Sequence, residues 1–238
     1  MDVWFFVAAF LAGIVGTVAG FGAATVLLPV ALLFFDFKTA LVLVAFTHLF
    51  SNLGRLAFFH KRVVWRVALY FCAIGIPGTL LGALLVNHIN SAELQAGLGI
   101  FLIGYGIFAF FEPAFRLKPA PFNMLAGGLS SGVLAGLIGT GGALRTVFLA
   151  AYRMPKLRYI ATSGVIALAV DGARIPIYLK DGLLASNYYW MLPVLFVVAV
   201  AGSYAGKRAA SKISQAVFTR IVLACLVLAG IKLVINYF

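Results

Sequence analysis

The chain has 238 residues, of which 64% are hydrophobic and 10% are charged, and its formal net charge is +12. Because soluble domains carry about 25% charged residues, this composition excludes a soluble protein and predicts an all-α polytopic membrane protein. Every backbone polar group must be satisfied within the bilayer, and the apolar runs are continuous rather than alternating, so we expect them to form helices.

Ten apolar segments follow one another along the chain, mostly separated by short polar loops. They cover residues 3–19, 21–35, 39–59, 67–87, 93–111, 122–138, 140–152, 157–179, 187–207 and 215–237. A helix needs about 20 residues to cross a bilayer core of about 30 Å, but the first two segments and the sixth and seventh have only 13 to 17 residues. We therefore expect two hairpins of short or tilted helices, at residues 3–35 and 122–152, with their tips inside the membrane.

Positive charge is concentrated in four loops, which indicates the side of the membrane on which they lie. Eleven of the eighteen Lys and Arg residues belong to these loops: Lys61, Arg62, Arg66, Arg116, Lys118, Arg153, Lys156, Arg158, Lys207, Arg208 and Lys212. By the positive-inside rule these loops are cytoplasmic, and loops 36–38, 88–92 and 180–186 and both termini are external. The charge is a topology signal, so we expect a lipid bilayer and no nucleic acid as partner, in a cell membrane such as the bacterial inner membrane.

The two halves of the chain share a pattern of glycines. An ungapped offset of 119 residues, half the chain length, aligns Gly13 with Gly132, Gly20 with Gly139, Gly22 with Gly141 and Arg55 with Arg174. An internal duplication explains these matches more simply than coincidence in a chain with 25 glycines. The predicted repeats, residues 1–118 and 119–238, each contain one glycine-tipped hairpin and three transmembrane helices. Because three is odd, the repeats have opposite orientations, which is the inverted topology of many secondary transporters.

A polar stripe lies on helix 39–59, and part of it is repeated on helix 157–179. On helix 39–59 the stripe consists of His48, Ser51, Asn52 and Arg55, whose spacing places them on one helix face. The offset of 119 residues aligns Asn52 with Asp171 and Arg55 with Arg174 on helix 157–179. Such a stripe should face a bundle interior or a cavity. Two interpretations remain open: Arg55 and Arg174 bind an anion at the two entrances, or an ion pair within the stripe and hydrogen bonds only link helices.

Arg145 has no counterpart in the first half, because position 26 is a valine. It follows the second glycine turn and is expected near mid-membrane, where an unpaired cation is costly and usually functional. A guanidinium beside a helix N-terminus suits a small oxyanion. The predicted binding site therefore combines Arg145 and the polar stripe with the two turns, whose members are Gly20, Gly22, Gly139, Thr140, Gly141 and Gly142. Pairing of Arg145 with Asp171 is the competing interpretation.

His48 is a candidate proton relay, alone or with Asp171, because its reference pKa of about 6.5 lies near physiological pH. The alternative is a histidine that only forms a hydrogen bond in the packed interior. The chain shows no paired carboxylates, Ser/His/Asp set, Cys/His cluster or phosphate-loop lysine, so we expect no enzyme, no cofactor and no metal site.

The order of these residues resembles the TauE/SafE sulfite exporter family over nearly the whole chain. The motifs that carry the resemblance are Gly13, Gly16, Gly20 to Ala24, Pro29, Lys61-Arg62, Trp65, Gly75, Gly78 and Gly82, and then Ser131-Gly132, Gly136, Gly139 to Ala143, Tyr159 to Ser163, Asp171, Arg174, Tyr178 and Gly182. The resemblance implies membrane export or uptake of sulfite, organosulfonates or other small anions. The chain departs from the pattern at Ala23-Ala24, at His48 and at Arg145, which leaves the substrate open.

Two functions fit these observations. The first is a secondary transporter that moves a small anion (sulfite, an organosulfonate or a related carboxylate) by alternating access, coupled to protons or another ion. The second is a membrane assembly factor or receptor without a translocation path, which predicts a fully paired polar stripe and a closed, dry interior.

Overall fold

The computed structural model describes residues 2–19, 22–113, 115, 117–209 and 215–237. Within these residues it contains ten α-helices and no β-strand, so the predicted all-α membrane fold is confirmed. The helices are α1 Asp2–Ala19, α2 Ala24–Ala31, α3 Phe37–Phe59, α4 Trp65–Leu85, α5 Ser91–Phe111, α6 Pro121–Ile138, α7 Gly142–Ala150, α8 Lys156–Lys180, α9 Met191–Ala209 and α10 Gln215–Ile235. Short 3₁₀ helices cover His60–Arg62, Val86–His88 and Ser186–Tyr188.

Each predicted segment corresponds to one helix, and most boundaries agree within two residues. The second segment, predicted at 21–35, is helical only at Ala24–Ala31. Its late start follows from Gly22, whose φ of +95° does not fit a right-handed helix. The ninth, predicted at 187–207, begins at Met191. A start at residue 187 would place Pro193 in the helix interior, whereas the observed start keeps it in the first turn, where its missing N–H is tolerated.

Six of the described helices are long and apolar enough to cross a membrane, judged by length and composition. The corresponding stretches are Phe37–Ala57, Trp65–His88, Ser91–Phe111, Pro121–Ile138, Lys156–Lys180 and Met191–Ala209. In contrast, α2 and α7 have 8 and 9 residues, which is too few to span a bilayer. The chain is therefore a multi-pass membrane protein in which each of two hairpins contains one very short arm.

Helices α3 and α8 form the centre of the bundle. In their apolar stretches 67% and 61% of the residues are buried, against 33% in α5 and in α9. The start of α3 is fixed by Asp36, whose carboxylate accepts the backbone N–H groups of Lys38 and Thr39 at 3.0 and 3.1 Å and so satisfies free donors of the first turn. The two helices that carry the polar stripe are therefore the most buried of the six described helices that are long enough to cross a membrane.

The helices of the two halves pack in a reciprocal pattern. Helix α1 packs on α9, and its counterpart α6 packs on α4. In the same way, α3 contacts α9, and its counterpart α8 contacts α4. Helix α3 also packs on α8, and α5 packs on α10. Exchanging each helix with its counterpart in the other half leaves these contacts unchanged. The boundary at residue 118 and the opposite orientations of the halves stay predictions.

Glycines allow α4 and α6 to approach closely. The residues at this contact are Gly75, Gly78 and Gly82 on α4 and Gly128, Gly132 and Gly136 on α6. A Cβ atom on Gly78 would lie only 2.7 Å from the carbonyl oxygen of Leu129. Small residues commonly permit such contacts between membrane helices. Because α6 is the long arm of the second hairpin, this contact fixes that hairpin against α4.

Candidate functional site

The turns of the two hairpins meet inside the bundle. The hydroxyl of Thr140, in the second turn, donates a hydrogen bond of 2.8 Å to the hydroxyl of Thr25, in the first turn of α2. Both threonines are buried. Gly20, which belongs to the first turn in the sequence, lies outside the described residues. Two glycine-rich stretches that are far apart in sequence are thus neighbours in space.

Glycine is needed in these turns for two different reasons. Gly22 and Gly139 have φ values of +95° and +74°, a backbone region that favours glycine. Gly141 has an ordinary φ of −81°, but a Cβ atom on it would overlap the carbonyl oxygen of Ser131 on α6. Gly142 is buried and begins α7, so its backbone N–H is one of those that lack a partner within the helix.

Gly139→Ala should lower the free energy of unfolding in detergent micelles by about 2–5 kcal/mol. A left-handed conformation costs a non-glycine residue about 1–2 kcal/mol, and overpacking adds about 1–3 kcal/mol. The added Cβ would lie 2.8 Å from Leu41 Cδ1 and 2.9 Å from Leu28 Cδ2. Gly182→Ala is the matched control, because Gly182 has a φ of +68° with no atom within 4 Å of the added Cβ, so only the smaller backbone cost applies. Equal losses in both variants would contradict the tight packing of the turn.

Asp171 connects the two central helices. Its Oδ1 accepts hydrogen bonds from Nε and Nη2 of Arg174 at 3.0 and 2.7 Å, and its Oδ2 lies 2.8 Å from Nδ1 of His48 on α3. All three side chains are buried. The ion pair that the sequence offered as an alternative is therefore formed, whereas no ion pair joins Arg145 to Asp171 in the described part of the chain.

Arg174 also contacts the end of the second hairpin's long arm. Its Nη1 donates to the carbonyl oxygen of Ala135 at 2.6 Å, and the nearby Tyr178 hydroxyl donates to that of Gly136. The last carbonyl groups of a helix have no partner within the helix and carry partial negative charge. Arg174 therefore holds the end of α6 in place. Its role at an anion entrance stays a prediction.

Arg55 makes the equivalent contact in the first half, but with fewer partners. Its Nε donates to the hydroxyl of Thr17 near the end of α1 at 3.1 Å, and its Nη1 donates to the Asn52 side-chain oxygen at 3.2 Å. Asn52 in turn donates to the His48 carbonyl oxygen at 2.8 Å. Because Asn52 stands where Asp171 stands in the second half, no carboxylate of the described residues forms an ion pair with Arg55. Its Nη2 is buried without a hydrogen-bond partner.

Arg145 lies on the short helix α7, one turn after the second glycine turn. It is 3% exposed, and its Nε has no hydrogen-bond partner in the part of the chain that the structure describes. Arg55, Arg174, Asp171 and His48 all lie within electrostatic range of its guanidinium. The structure therefore brings predicted binding residues of both halves together. We call these five side chains, Arg55, Arg145, Arg174, Asp171 and His48, the buried cluster. The cluster contains three arginines but only one carboxylate.

Three buried nitrogen atoms of this cluster lack a hydrogen-bond partner among the described residues. They are His48 Nε2, Arg55 Nη2 and Arg145 Nε. Leaving one such group unpaired costs about 1–3 kcal/mol, and more when it is charged. All three belong to side chains that are cationic or that become cationic on protonation. The hydrogen-bond donors that remain free in the cluster therefore suit a negatively charged ligand that accepts hydrogen bonds.

Two cavities lie near this cluster. A cavity of about 400 Å³ lies between the starts of α4 and α6, where Arg66, Tyr70 and Tyr152 are among its lining residues. A second, of about 260 Å³, lies between α5, α7 and α10 and reaches Thr146, the neighbour of Arg145. Since His48, Arg145 and Arg174 are all at most 5% exposed, the structure shows a closed conformation. In the described residues, no group of three or more His, Cys, Asp or Glu side chains is arranged to hold a metal ion.

Several partners in the cluster were not predicted from the sequence. Thr17 and Thr25 accept the hydrogen bonds of Arg55 and Thr140, and Ser203 on α9 pairs with Ser51 at 2.7 Å between the hydroxyl oxygens. A hydroxyl in an apolar helix is the available signal for such a role. It does not identify the partner, because that depends on how distant helices pack.

Comparisons with known proteins agree with the architecture. The family described as Sulfite exporter TauE/SafE matches residues 5–233. A protein of Methanocaldococcus jannaschii named "Probable membrane transporter protein" is 28% identical, over 83% of this chain and 81% of that protein. No solved structure matches the chain.

Proposed function

The chain belongs to the TauE/SafE sulfite exporter family, and on this basis we propose that it is a secondary transporter of a small anion. The family and the similarity to a membrane transporter support transport across a membrane. The proposed substrate is sulfite, an organosulfonate or a related oxyanion or carboxylate. The proposed location is a bacterial inner membrane, with both termini external as the positive-inside rule predicts.

The observation that carries the proposal is the excess of positive charge in the buried cluster. Among the described residues, the buried charged side chains are Arg55, Arg145, Arg174 and Asp171, so their net charge is +2 when His48 is neutral. Burying uncompensated charge is costly, and a bound anion offsets this cost by pairing with the guanidinium groups. A cationic substrate would gain nothing from the same surroundings.

The packing of the hairpins supports alternating access. The long arm of each hairpin packs on a helix of the opposite half, α1 on α9 and α6 on α4, and the two tips touch through Thr25 and Thr140. Interrupted helices whose ends meet at the substrate site are a recurring feature of transporters built from inverted repeats. Movement of one hairpin with its partner helix would separate the tips on one side at a time.

The second candidate, a membrane assembly factor or receptor, is favoured by the closed interior. It also requires that the polar stripe be fully paired. Ser51 and Asp171 meet that requirement, but His48 Nε2 and Arg55 Nη2 do not. A transporter between its two open states has an equally closed interior, so the unpaired nitrogen atoms favour transport.

Flux through the purified protein in proteoliposomes tests the proposal. Vesicles loaded with unlabelled sulfite, methanesulfonate or acetate should accumulate the same labelled anion from outside by exchange, with a rate that saturates as its concentration rises. Labelled potassium should not exchange, because the cluster repels cations. Absence of exchange above that of protein-free liposomes for every anion in the panel would reject transport in favour of the second candidate.

A further inference from the structure

We propose that His48 binds a co-transported proton at Nε2, so that one proton accompanies each monovalent anion. This inference rests on the proposed transport function and names its coupling ion. Three features of the buried cluster carry it: the hydrogen bond at Nδ1, the position of Nε2 and the charges around the ring.

The hydrogen bond to Asp171 fixes which ring nitrogen is free. A carboxylate is an acceptor only, so the contact of 2.8 Å between Nδ1 of His48 and Oδ2 of Asp171 requires the hydrogen on Nδ1. In the neutral ring Nε2 then carries a lone pair. The other carboxylate oxygen of Asp171 accepts two hydrogen bonds from Arg174, which favours its charged form. The proton acceptor in this pair is therefore Nε2 of the imidazole, and Asp171 is a positioning residue.

Nε2 points at the tip of the first hairpin. It is buried, no described residue forms a hydrogen bond with it, and a Cβ atom on Gly22 would lie 2.6 Å from it. Gly22 is one of the turn residues at which the anion is proposed to bind. The nitrogen that takes up the proton and the backbone that receives the anion are thus direct neighbours, and movement of the hairpin changes the access of both.

The charges around His48 make proton binding and anion binding interdependent. The charged groups in electrostatic range are Asp171 and Arg174 on α8 and Arg145 on α7. The described residues of the other neighbouring helices place no further buried charge near His48. Helix α2 has no ionisable side chain, and the single ionisable residue of α1 is Asp2 at its first position. Glu93 on α5 and Lys207 and Arg208 on α9 are exposed. A proton alone raises the net charge of the cluster from +2 to +3. A proton together with a monovalent anion leaves it at +2, so each ligand favours binding of the other.

The transport step balances as follows. From one side, H⁺ forms an N–H bond at Nε2 while Nδ1 keeps its hydrogen, and the anion A⁻ pairs with Arg145. On the other side, the N–H bond at Nε2 breaks and H⁺ and A⁻ leave together. One proton and one negative charge cross the membrane in each cycle, so the transport is electroneutral.

Proton movement driven by methanesulfonate tests the proposal, because this anion stays ionised throughout the pH range used. Addition of methanesulfonate outside proteoliposomes that contain a pH-sensitive dye should acidify the interior. In His48→Gln the number of protons taken up per labelled methanesulfonate should fall towards zero, whatever rate of anion uptake remains, since glutamine can hydrogen-bond but cannot carry the proton. His60→Gln, at an exposed histidine, should behave as wild type. Exchange in the wild type without acidification would overturn proton coupling and leave anion transport intact.

Nuclear magnetic resonance of isotope-labelled histidine gives a second readout that does not depend on flux or on the folding of His48→Gln. Replacement of His60 and His88 by glutamine leaves His48 as the single histidine. Between about pH 6 and 8, methanesulfonate should move its Nε2 signal from the unprotonated to the protonated position. If the wild type exchanges no anion, the proposed transport function is rejected. The spectrum then still shows whether the proton and the anion bind together. An Nε2 signal that methanesulfonate does not change would overturn the inference.

Discussion

Arg145→Gln should reduce the rate of anion exchange at least about 30-fold in proteoliposomes. Removing one partner of a buried, hydrogen-bonded charge pair costs about 2–5 kcal/mol, and 2 kcal/mol corresponds to a factor of about 30. Arg145 is expected to show this effect because its guanidinium is buried and its Nε is not used by any described residue. The measurement is the initial rate of labelled methanesulfonate exchange at equal protein content.

Two further variants make this result specific. Arg145→Lys should recover part of the exchange rate, because lysine keeps the charge but lacks the planar set of donors that matches an oxyanion. Arg62→Gln removes an exposed arginine and should exchange at the wild-type rate. Without anion, Arg145→Gln should be at least as stable as the wild type, because it removes a buried charge that forms no ion pair with any described residue. Wild-type exchange by Arg145→Gln would contradict the assignment of this residue to the anion site.

Asp171→Ala should lower the free energy of unfolding by about 3–5 kcal/mol. Breaking a buried ion pair by removing one partner leaves the other charge uncompensated, which is the costly part. In this variant Arg174 would lose two of its three hydrogen bonds and His48 would lose the partner of Nδ1. The measurement is reversible unfolding in micelles, followed by the loss of helical signal.

The control for Asp171 is another aspartate that accepts hydrogen bonds. Asp36→Ala removes the exposed N-cap of α3, and this should cost only about 0.5–2 kcal/mol. The double variant Asp171→Ala/Arg174→Met should be more stable than Asp171→Ala alone, because the uncompensated charge is gone and the residue volume is largely kept. Additive losses from the two substitutions would contradict the ion pair as the reason for the instability.

The helices of this fold could be predicted from the sequence because the membrane restricts the alternatives. A spanning segment must be apolar and about 20 residues long, so the predicted boundaries of α3, α4 and α8 agree with the observed ones within two residues. The short arms α2 and α7 were recognisable as too short to span. Their exact ends were harder to predict, because they depend on the backbone angle of Gly22 and on how each tip packs.

The candidate site was predicted as a set of residues but not as a set of contacts. Periodicity places His48 and Asn52 on one helix face, and the repeat relates Arg55 to Arg174. The i, i+3 spacing allows the Asp171–Arg174 ion pair, but the sequence does not show that Asp171 also accepts a hydrogen bond from His48, nor that Thr140 donates to Thr25. These contacts join residues 115 to 123 positions apart, and they exist only because α3 packs on α8 and the hairpin tips meet. Tertiary packing, which local sequence does not encode, decides them.

Two of the three predicted departures from the TauE/SafE pattern carry a buried nitrogen atom that lacks a hydrogen-bond partner among the described residues. His48 and Arg145 are two of these departures, and both carry such an atom in the buried cluster. The shared glycine turns build the two hairpins, while these two side chains give the cluster its particular charge. We therefore expect them to determine which anion the protein accepts and what moves with it.

Access to Thr140 from each side of the membrane tests alternating access most directly. In a background with Cys72→Ala and Cys225→Ala, Thr140→Cys should react with a membrane-impermeant maleimide in vesicles of either orientation, and methanesulfonate should slow both reactions. His60→Cys, at an exposed turn, should react from one side only, which confirms that the reagent does not cross the bilayer. Reaction of Thr140→Cys from a single side, or from neither, would contradict transport between two hairpin tips that open in turn.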